Sequence, residues 1–388
     1  MNPKRAANLL GTVRPIGRVR GWFVGADPSG RYIGVLRHHS NLTIHDTHRA
    51  LAPVFTARLF RRTYAFAFHP SGRSFARLSR AWELELHQKG KKTQWWTTSI
   101  RQSPYLATEM AVRWGPSGAG WLQFTADGKW LLLGDVAENA QLTLFASNQL
   151  EPLETVSPIF GTCPREPVED WGEDAMPASA PAPSTAVAIA ANAGDSIREI
   201  GVAEVIKGKL KLYGLDAVGP AMSDTIPGDR INGICLRHDT LFGVDVDQVL
   251  FSLPWRKSGP KAKYLASAYR FFKKDEACPE VIKDLRALGG EAIGESLVLN
   301  GPLDVIGNRL LVTVEKEHVR GGLMGWINRA FLVFDSESNE LLGWFDAPDW
   351  RAESRLALEG NGTLCKTVAG ETRVWRYVPP KKASARRR

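Results

Sequence analysis

The residues best equipped for chemistry sit early in the chain. His38, His39, His45 and His48, together with Asp46, make the one His-rich stretch of the 388 residues, and clustered imidazoles beside a carboxylate are the raw material of a metal site. Their spacing argues against a shared ion. His38 and His39 fall at a hairpin turn, and His45 lies about four residues along the returning strand, on the order of 13 Å away. Turn and surface histidines are the expectation, and no metal ligand is assigned.

Other motifs fare no better. Gly115-Pro116-Ser117-Gly118-Ala119-Gly120 has the glycine content of a phosphate loop without its Lys-Ser/Thr ending, and Trp121-Leu122-Gln123-Phe124 continues as strand, not helix. It reads as a turn. Asp245 and Asp247 have the spacing of one strand face, which a solvated edge explains equally well. The chain has no G-x-S-x-G, H-E-x-x-H or kinase motif. No catalytic residue and no cofactor is therefore assigned, and a non-enzyme is expected.

Contact surfaces are better represented. Residues 255–274 carry Arg256, Lys257, Lys261, Lys263, Arg270, Lys273 and Lys274 without an acid, with Trp255, Tyr264, Tyr269, Phe271 and Phe272 among them. Rings interleaved with cations suit single-stranded nucleic acid, since rings stack bases and cations meet phosphates. The same composition also describes an amphipathic insertion that anchors its rings and leaves its charges in water. An acidic counterpart, Glu166, Glu169, Asp170, Glu173 and Asp174 around Trp171, suits a basic protein partner or simple solvation. With Trp95 and Trp96, the candidate partner-binding set is Trp95, Trp96, Trp171, Trp255, Arg256, Lys263, Arg270 and Lys273, because Trp and Arg most often dominate interfaces.

These side chains need elements to carry them, and the chain supplies a repeated one. Gly21–Ala26, Asp27-Pro28-Ser29-Gly30 and Arg31–Leu36 read strand, turn, strand, closed by Asn41-Leu42-Thr43-Ile44-His45-Asp46. Tyr64–Phe68, His69-Pro70-Ser71-Gly72 and Arg73–Ala76 repeat the unit before Ala81–Leu86, and Trp121–Phe124, Thr125-Ala126-Asp127-Gly128 and Lys129–Leu133 repeat it before Gln141–Phe145. Pro presets φ at a turn corner and Gly accepts positive φ, while the apolar runs are too short for stable helices. Weaker copies occupy 184–216, 230–253, 303–345 and 354–377, which makes seven. Two such strands cannot bury both faces alone, so the copies must pack side by side.

On the Pro-Ser-Gly-Arg turns and on endings such as Ile44-His45-Asp46 and Phe334-Asp335, the chain resembles the WD-repeat propellers, in a degenerate form that lacks their Gly-His dipeptides. The resemblance implies an all-β fold, a single β-propeller of about seven four-stranded blades over residues 12–378, with protein–protein assembly as its role. Loop insertions are expected near 89–120, 151–183 and 254–302, with one short helix at Pro279–Leu288 set between Pro and Gly289. In propellers of this kind a strand from one terminus joins the last blade, and Thr12–Val19 is the segment placed to do so.

Charge and cysteine complete the expectation. Residues 1–11 and 379–388 read as basic tails, and removing the ten cations of residues 1–20 and 379–388 leaves the body near neutral. Cys163, Cys235, Cys278 and Cys365 show no paired spacing and read as free thiols. No apolar run approaches the ~20 residues a membrane helix needs, and the N-terminus lacks a signal-peptide core. The sequence thus predicts a cytoplasmic, non-catalytic scaffold for partner proteins. A nucleic-acid-binding accessory protein using the basic insertion and tails is the alternative, and a propeller enzyme with a channel-mouth site is the third reading.

Overall fold

A computed structural model describes residues 9–38, 41–58, 63–79, 83–89, 95–102, 121–134, 142–148, 150, 152–156, 186–193, 197–215, 233–237, 240–244, 249–254, 263–267, 297–320, 323–350, 352, 356–359 and 361–380. The chain opens with β1 (Thr12–Arg20). Sheet one is β2 (Trp22–Ala26), β3 (Tyr32–Arg37), β4 (Asn41–Asp46) and β5 (Ala52–Arg58). Sheet two is β6 (Thr63–Phe68), β7 (Ser74–Ser79), β8 (Glu83–Lys89) and β9 (Trp95–Gln102). Sheet three is β10 (Trp121–Phe124), β11 (Trp130–Gly134), β12 (Leu142–Ala146) and β13 (Pro152–Val156).

Sheet four has three described strands, β14 (Ala186–Ala193), β15 (Ile197–Ile206) and β16 (Lys209–Leu215). Sheet five is β17 (Gly233–Arg237), β18 (Thr240–Val244), β19 (Val249–Pro254) and β20 (Lys263–Ser267). Sheet six is β21 (Leu297–Ile306), β22 (Arg309–Arg320), β23 (Leu323–Asp335) and β24 (Leu341–Asp346). Sheet seven takes β25 (Leu356–Glu359), β26 (Thr363–Val368) and β27 (Glu371–Val378) from the end of the chain and β1 from its start, in the order β1-β27-β26-β25.

Strands buried on both faces explain why these runs are apolar without simple alternation. In sheet six, Leu310, Val312, Val314, Leu332 and Phe334 pack toward sheet five with Phe242, Val244 and Leu250. Their neighbours Leu311, Phe331 and Val333 point the other way, into a core shared with Leu356, Leu358, Leu364 and Tyr377 of sheet seven. The same division recurs around the ring. Ile33 and Val35 face sheet seven, Leu42 and Ile44 face sheet two, Leu131 and Leu133 face sheet two, and Leu132 faces sheet four. Among the inner strands, β2 lies against β6, β6 against β10, β14 against β17, β17 against β21 and β21 against β25, while β26 returns to β2. Seven sheets therefore close into one propeller, its cores lying between blades.

The junction of chain ends is built as the repeat pattern requires. β1 runs antiparallel to β27 from Thr12 opposite Val378 to Arg20 opposite Glu371, with a bulge between Pro15 and Gly17. Val13 joins the core between blades six and seven, and Ile16 and Val19 join that between seven and one. Ahead of the strand, Leu10 is buried, its carbonyl accepts the Tyr377 hydroxyl at 2.6 Å, and the Leu9 carbonyl accepts Arg309 Nε at 3.1 Å. The N-terminal segment thus closes blade seven and anchors on blade six.

Parts of the expected insertions are outer strands. β9 lies inside 89–120, β13 inside 151–183 and β20 inside 254–302, each completing a four-stranded blade. The expected helix at 279–288 lies outside the described residues, as do Asp245, Asp247 and the acidic loop around Trp171.

The histidines serve the fold. His38 stands exposed at a positive φ after β3, and His48 is exposed in the short 3-10 turn Thr47–Arg49. His45 is buried, with Nδ1 2.8 Å from the Leu51 carbonyl and Nε2 enclosed without a hydrogen-bond partner. Burial lowers its pKa from 6.5, against the opposing pull of the Leu51 carbonyl. An imidazole whose pKa is lower folded than unfolded takes up its proton more readily in the unfolded chain, so stability falls as pH drops below 6.5. We expect the urea midpoint to decline from pH 7 to pH 5.5, and a His45→Gln variant to lose part of that slope. An identical slope in both proteins would refute the assignment.

Candidate functional site

The acids of blade one are spent on its turns. Asp27 Oδ1 accepts the Tyr32 N–H at 2.5 Å and Oδ2 takes the Ser29 hydroxyl at 2.5 Å, fixing the Asp-Pro-Ser-Gly corner. Asp46 caps the Thr47–Arg49 turn through the His48 N–H at 2.9 Å and pairs with Arg31 at 3.2 Å. Blade six repeats the device. There Asp335 accepts the N–H groups of Glu337 and Ser338, each at 3.0 Å, and pairs with Arg309 at 2.9 Å. Burial alone would raise the Asp335 carboxyl, but these N–H groups and the guanidinium hold it below its usual value. The aspartates that end Ile44-His45-Asp46 and Phe334-Asp335 thus tie the start of one strand to the turn after the next.

The consequence is an unbalanced surface. Residues 1–82 contain fourteen Lys and Arg against two acids, Asp27 and Asp46, and both acids are 1% exposed. The remaining 306 residues hold 36 cations and 39 acids. A near-neutral body is therefore an average over a basic sector, comprising β1, blade one and part of blade two, and a mildly acidic remainder. Arg14, Arg18, Arg20, Arg37, Arg49 and Arg58 are all exposed.

Two of them, Arg20 and Arg37, meet at one corner. Arg37 Nε donates to the Arg20 carbonyl at 3.0 Å, and Arg37 is in register with Asn41, which is in register with Arg58. Trp22, directly after this crossing, is 46% exposed and opposite Leu36. The backbone beneath is rigidly held. Gly21 donates to the Gly370 carbonyl at 2.6 Å, the Thr372 hydroxyl donates to the Gly21 carbonyl at 2.7 Å, and Phe23 N–H reaches Thr367 Oγ1 at 3.2 Å. Gly21 has φ +120°, and a Cβ there would come 2.5 Å from the Leu36 carbonyl oxygen, so only glycine permits this crossing.

The sequence-derived candidates are dispersed. Trp95 and Trp96 open β9 on the outside of blade two, in register with Lys89 and Gln88. Lys263 opens β20 on the outside of blade five, opposite Ser252, so it belongs to a ladder and not to a free loop. Blades two and five are as far apart as a ring of seven allows. Trp171, Trp255, Arg256, Arg270 and Lys273 lie outside the described residues. The Trp22 corner was missed because Trp22 reads as one more strand residue. A window charge count over residues 1–82 would have found its surroundings.

Two further titratable clusters among the described residues bind strands together. In blade two the buried Arg77 pairs with Glu85 at 2.9 Å, and His87 Nε2 lies 2.8 Å from the other Glu85 oxygen while its ring stacks on Phe75 at 4.6 Å. A second buried set, Glu315, Asn328 and Lys366, lies between blades six and seven. Among the described residues, no group of three His, Cys, Asp or Glu is placed to hold a metal ion. Cys235 and Cys365 form no disulfide, and burial pushes the Cys365 thiol well up in pKa, which keeps it protonated and unreactive.

Comparison with known proteins supports the architecture. The β-propeller domain of Cps50 (Swd1) from Myceliophteria thermophila superposes with a TM-score of 0.50 at 10% identity, over 95% of this chain and 100% of that one. This chain has the β-propeller fold. BamB from Moraxella catarrhalis aligns with a TM-score of 0.49 at 8% identity, over 94% of this propeller and 98% of that chain. No family model and no curated protein sequence matches this propeller. No helix among its described residues is long and apolar enough to cross a membrane.

Proposed function

We propose that this propeller is a non-catalytic, cytoplasmic scaffold that presents its rim to partner proteins within a larger assembly. The observation that carries the reading is the exposed Trp22, two residues beyond Arg20 and opposite Leu36, the neighbour of Arg37, on backbone locked to blade seven. A partly exposed Trp on a firmly held backbone with arginines nearby has the composition of an interface centre. The buried charged clusters in blade two and between blades six and seven sit apart from each other and are occupied in holding strands together. The test is affinity capture by the purified chain from its own cell lysate after nuclease digestion, beside a Trp22→Ala/Arg37→Gln variant. A stoichiometric protein retained by the first and lost from the second is expected. Recovery of nucleic acid alone, or equal recovery by both proteins, would overturn the reading.

A further inference from the structure

We infer that the outer edge of β1 and the adjoining corner of blade one form a docking track for an extended acidic segment of a partner protein, a reading that rests on the scaffold role proposed above. Arg14, Arg18 and Arg20 are exposed along β1, Arg14 on the face of Arg376 and Arg18 and Arg20 on the face of Arg373 and Glu371, so cations flank both sides of an edge whose six residues span about 20 Å. The hydrogen bond from Arg37 to the Arg20 carbonyl brings a guanidinium of blade one to the end of this edge, and Arg58 stands in register beyond Asn41. The acid beside the track is Glu371, which pairs with Arg18 at 3.4 Å. The two acids of blade one are withdrawn into turns, so the track keeps its charge.

Two features favour polypeptide over polyphosphate as occupant. Among the described residues, β1 is the last strand of its sheet and pairs on one side only, with β27, so alternate backbone groups face outward. Pro15 withdraws one donor and the Pro15/Gly17 bulge interrupts the ladder, which leaves Gly17–Arg20 as the continuous half. An extended peptide can meet such an edge in register while its carboxylates take bidentate bonds from arginine. A phosphodiester chain supplies acceptors but no N–H donors for the outward carbonyls of such an edge. At the far end, Trp22 offers apolar surface to the same ligand. Arginine and proline on an edge strand also discourage pairing between copies, and edge protection alone is an outcome the test must separate.

The full chain is titrated with a fluorescent poly-glutamate peptide and, at equal ionic strength, with an oligothymidylate of matched charge. Three proteins are compared: the natural chain, an Arg14→Gln/Arg18→Gln/Arg20→Gln/Arg37→Gln variant, and one with Lys381, Lys382, Arg386, Arg387 and Arg388 changed to Gln. We expect the peptide to bind the natural and tail-neutralised chains similarly and the track variant at least about tenfold more weakly, with thermal midpoints unchanged. Bound peptide should slow amide exchange across Gly17–Arg20. Equal binding by the track variant, no binding by any protein, loss confined to the tail variant, tighter binding of oligothymidylate, or unchanged exchange would each overturn the proposal. If the track variant still captures the lysate partner, the track fails while the scaffold reading stands.

Discussion

A chain lacking residues 1–20 should lose its cooperative thermal transition or melt about 10 °C lower, the largest effect expected for any change at the surface. Removing β1 unpairs β27 from Glu371 to Val378 and uncovers two cores at once, because Val13 packs toward blade six and Ile16 and Val19 toward blade one. It also takes away buried Leu10 and the acceptors of Tyr377 and Arg309. Burying one Leu contributes about 1.5–3 kcal/mol, and each net hydrogen bond about 1 kcal/mol. The sum rivals the ~5–15 kcal/mol that holds a typical domain together. The measurement is calorimetry of the truncated chain, followed by titration with a synthetic peptide of residues 1–20. Rescue that deepens with peptide concentration is the mark of a strand bound by mass action. A truncated chain that melts within about 2 °C of the full one would show that β1 is an ornament.

That junction also shows what the sequence made legible. The turns were readable because their residues have few other uses. Pro-Ser-Gly between two apolar runs specifies a hairpin locally, and Gly30 and Gly72 do adopt positive φ. Outer strands were not readable in the same way. β9, β13 and β20 border solvent along one edge, so their sequences, such as Pro152-Leu153-Glu154-Thr155-Val156, carry little hydrophobic pattern and merge with loops. The basic sector was hidden for another reason. Net charge is a sum over the chain, and it hides that Asp27 and Asp46 lie buried while the arginines around them do not. Nor could periodicity show which polar residues of one blade would face those of the next, since that depends on how the sheets pack.

Asn328 is the sharpest case of such a residue, and changing it should have the second-largest effect. It is 1% exposed. Its Nδ2 donates to Glu315 Oε1 at 2.8 Å, and its Oδ1 accepts the Leu356 N–H at 2.7 Å, so one amide joins β22 and β23 of blade six to the inner strand of blade seven. Buried Lys366 of blade seven completes the set. Burial lowers its pKa, while Asp349 and Glu315 pull the other way, and its Nζ donates to the Asp349 carbonyl at 3.2 Å. Asn328→Leu keeps the volume but strands the Leu356 N–H and removes a donor from a buried carboxylate, which together cost about 3 kcal/mol. Asn328→Asp separates electrostatics from packing. Its carboxylate can still accept from Leu356 but faces Glu315 across a hydrogen-bond distance, so one of the two must hold a proton, and the pair's folded pKa rises above its unfolded value. The stability of a carboxyl raised on folding is fully present below its unfolded pKa and is lost as pH rises through its folded pKa. The Asp variant should therefore be weakest near pH 8 and approach the natural chain toward pH 5, whereas the Leu variant keeps a constant deficit. Urea unfolding at these two pH values distinguishes them. Parallel behaviour of the two variants would mean that Asn328 fills space and does not pair Glu315 with blade seven.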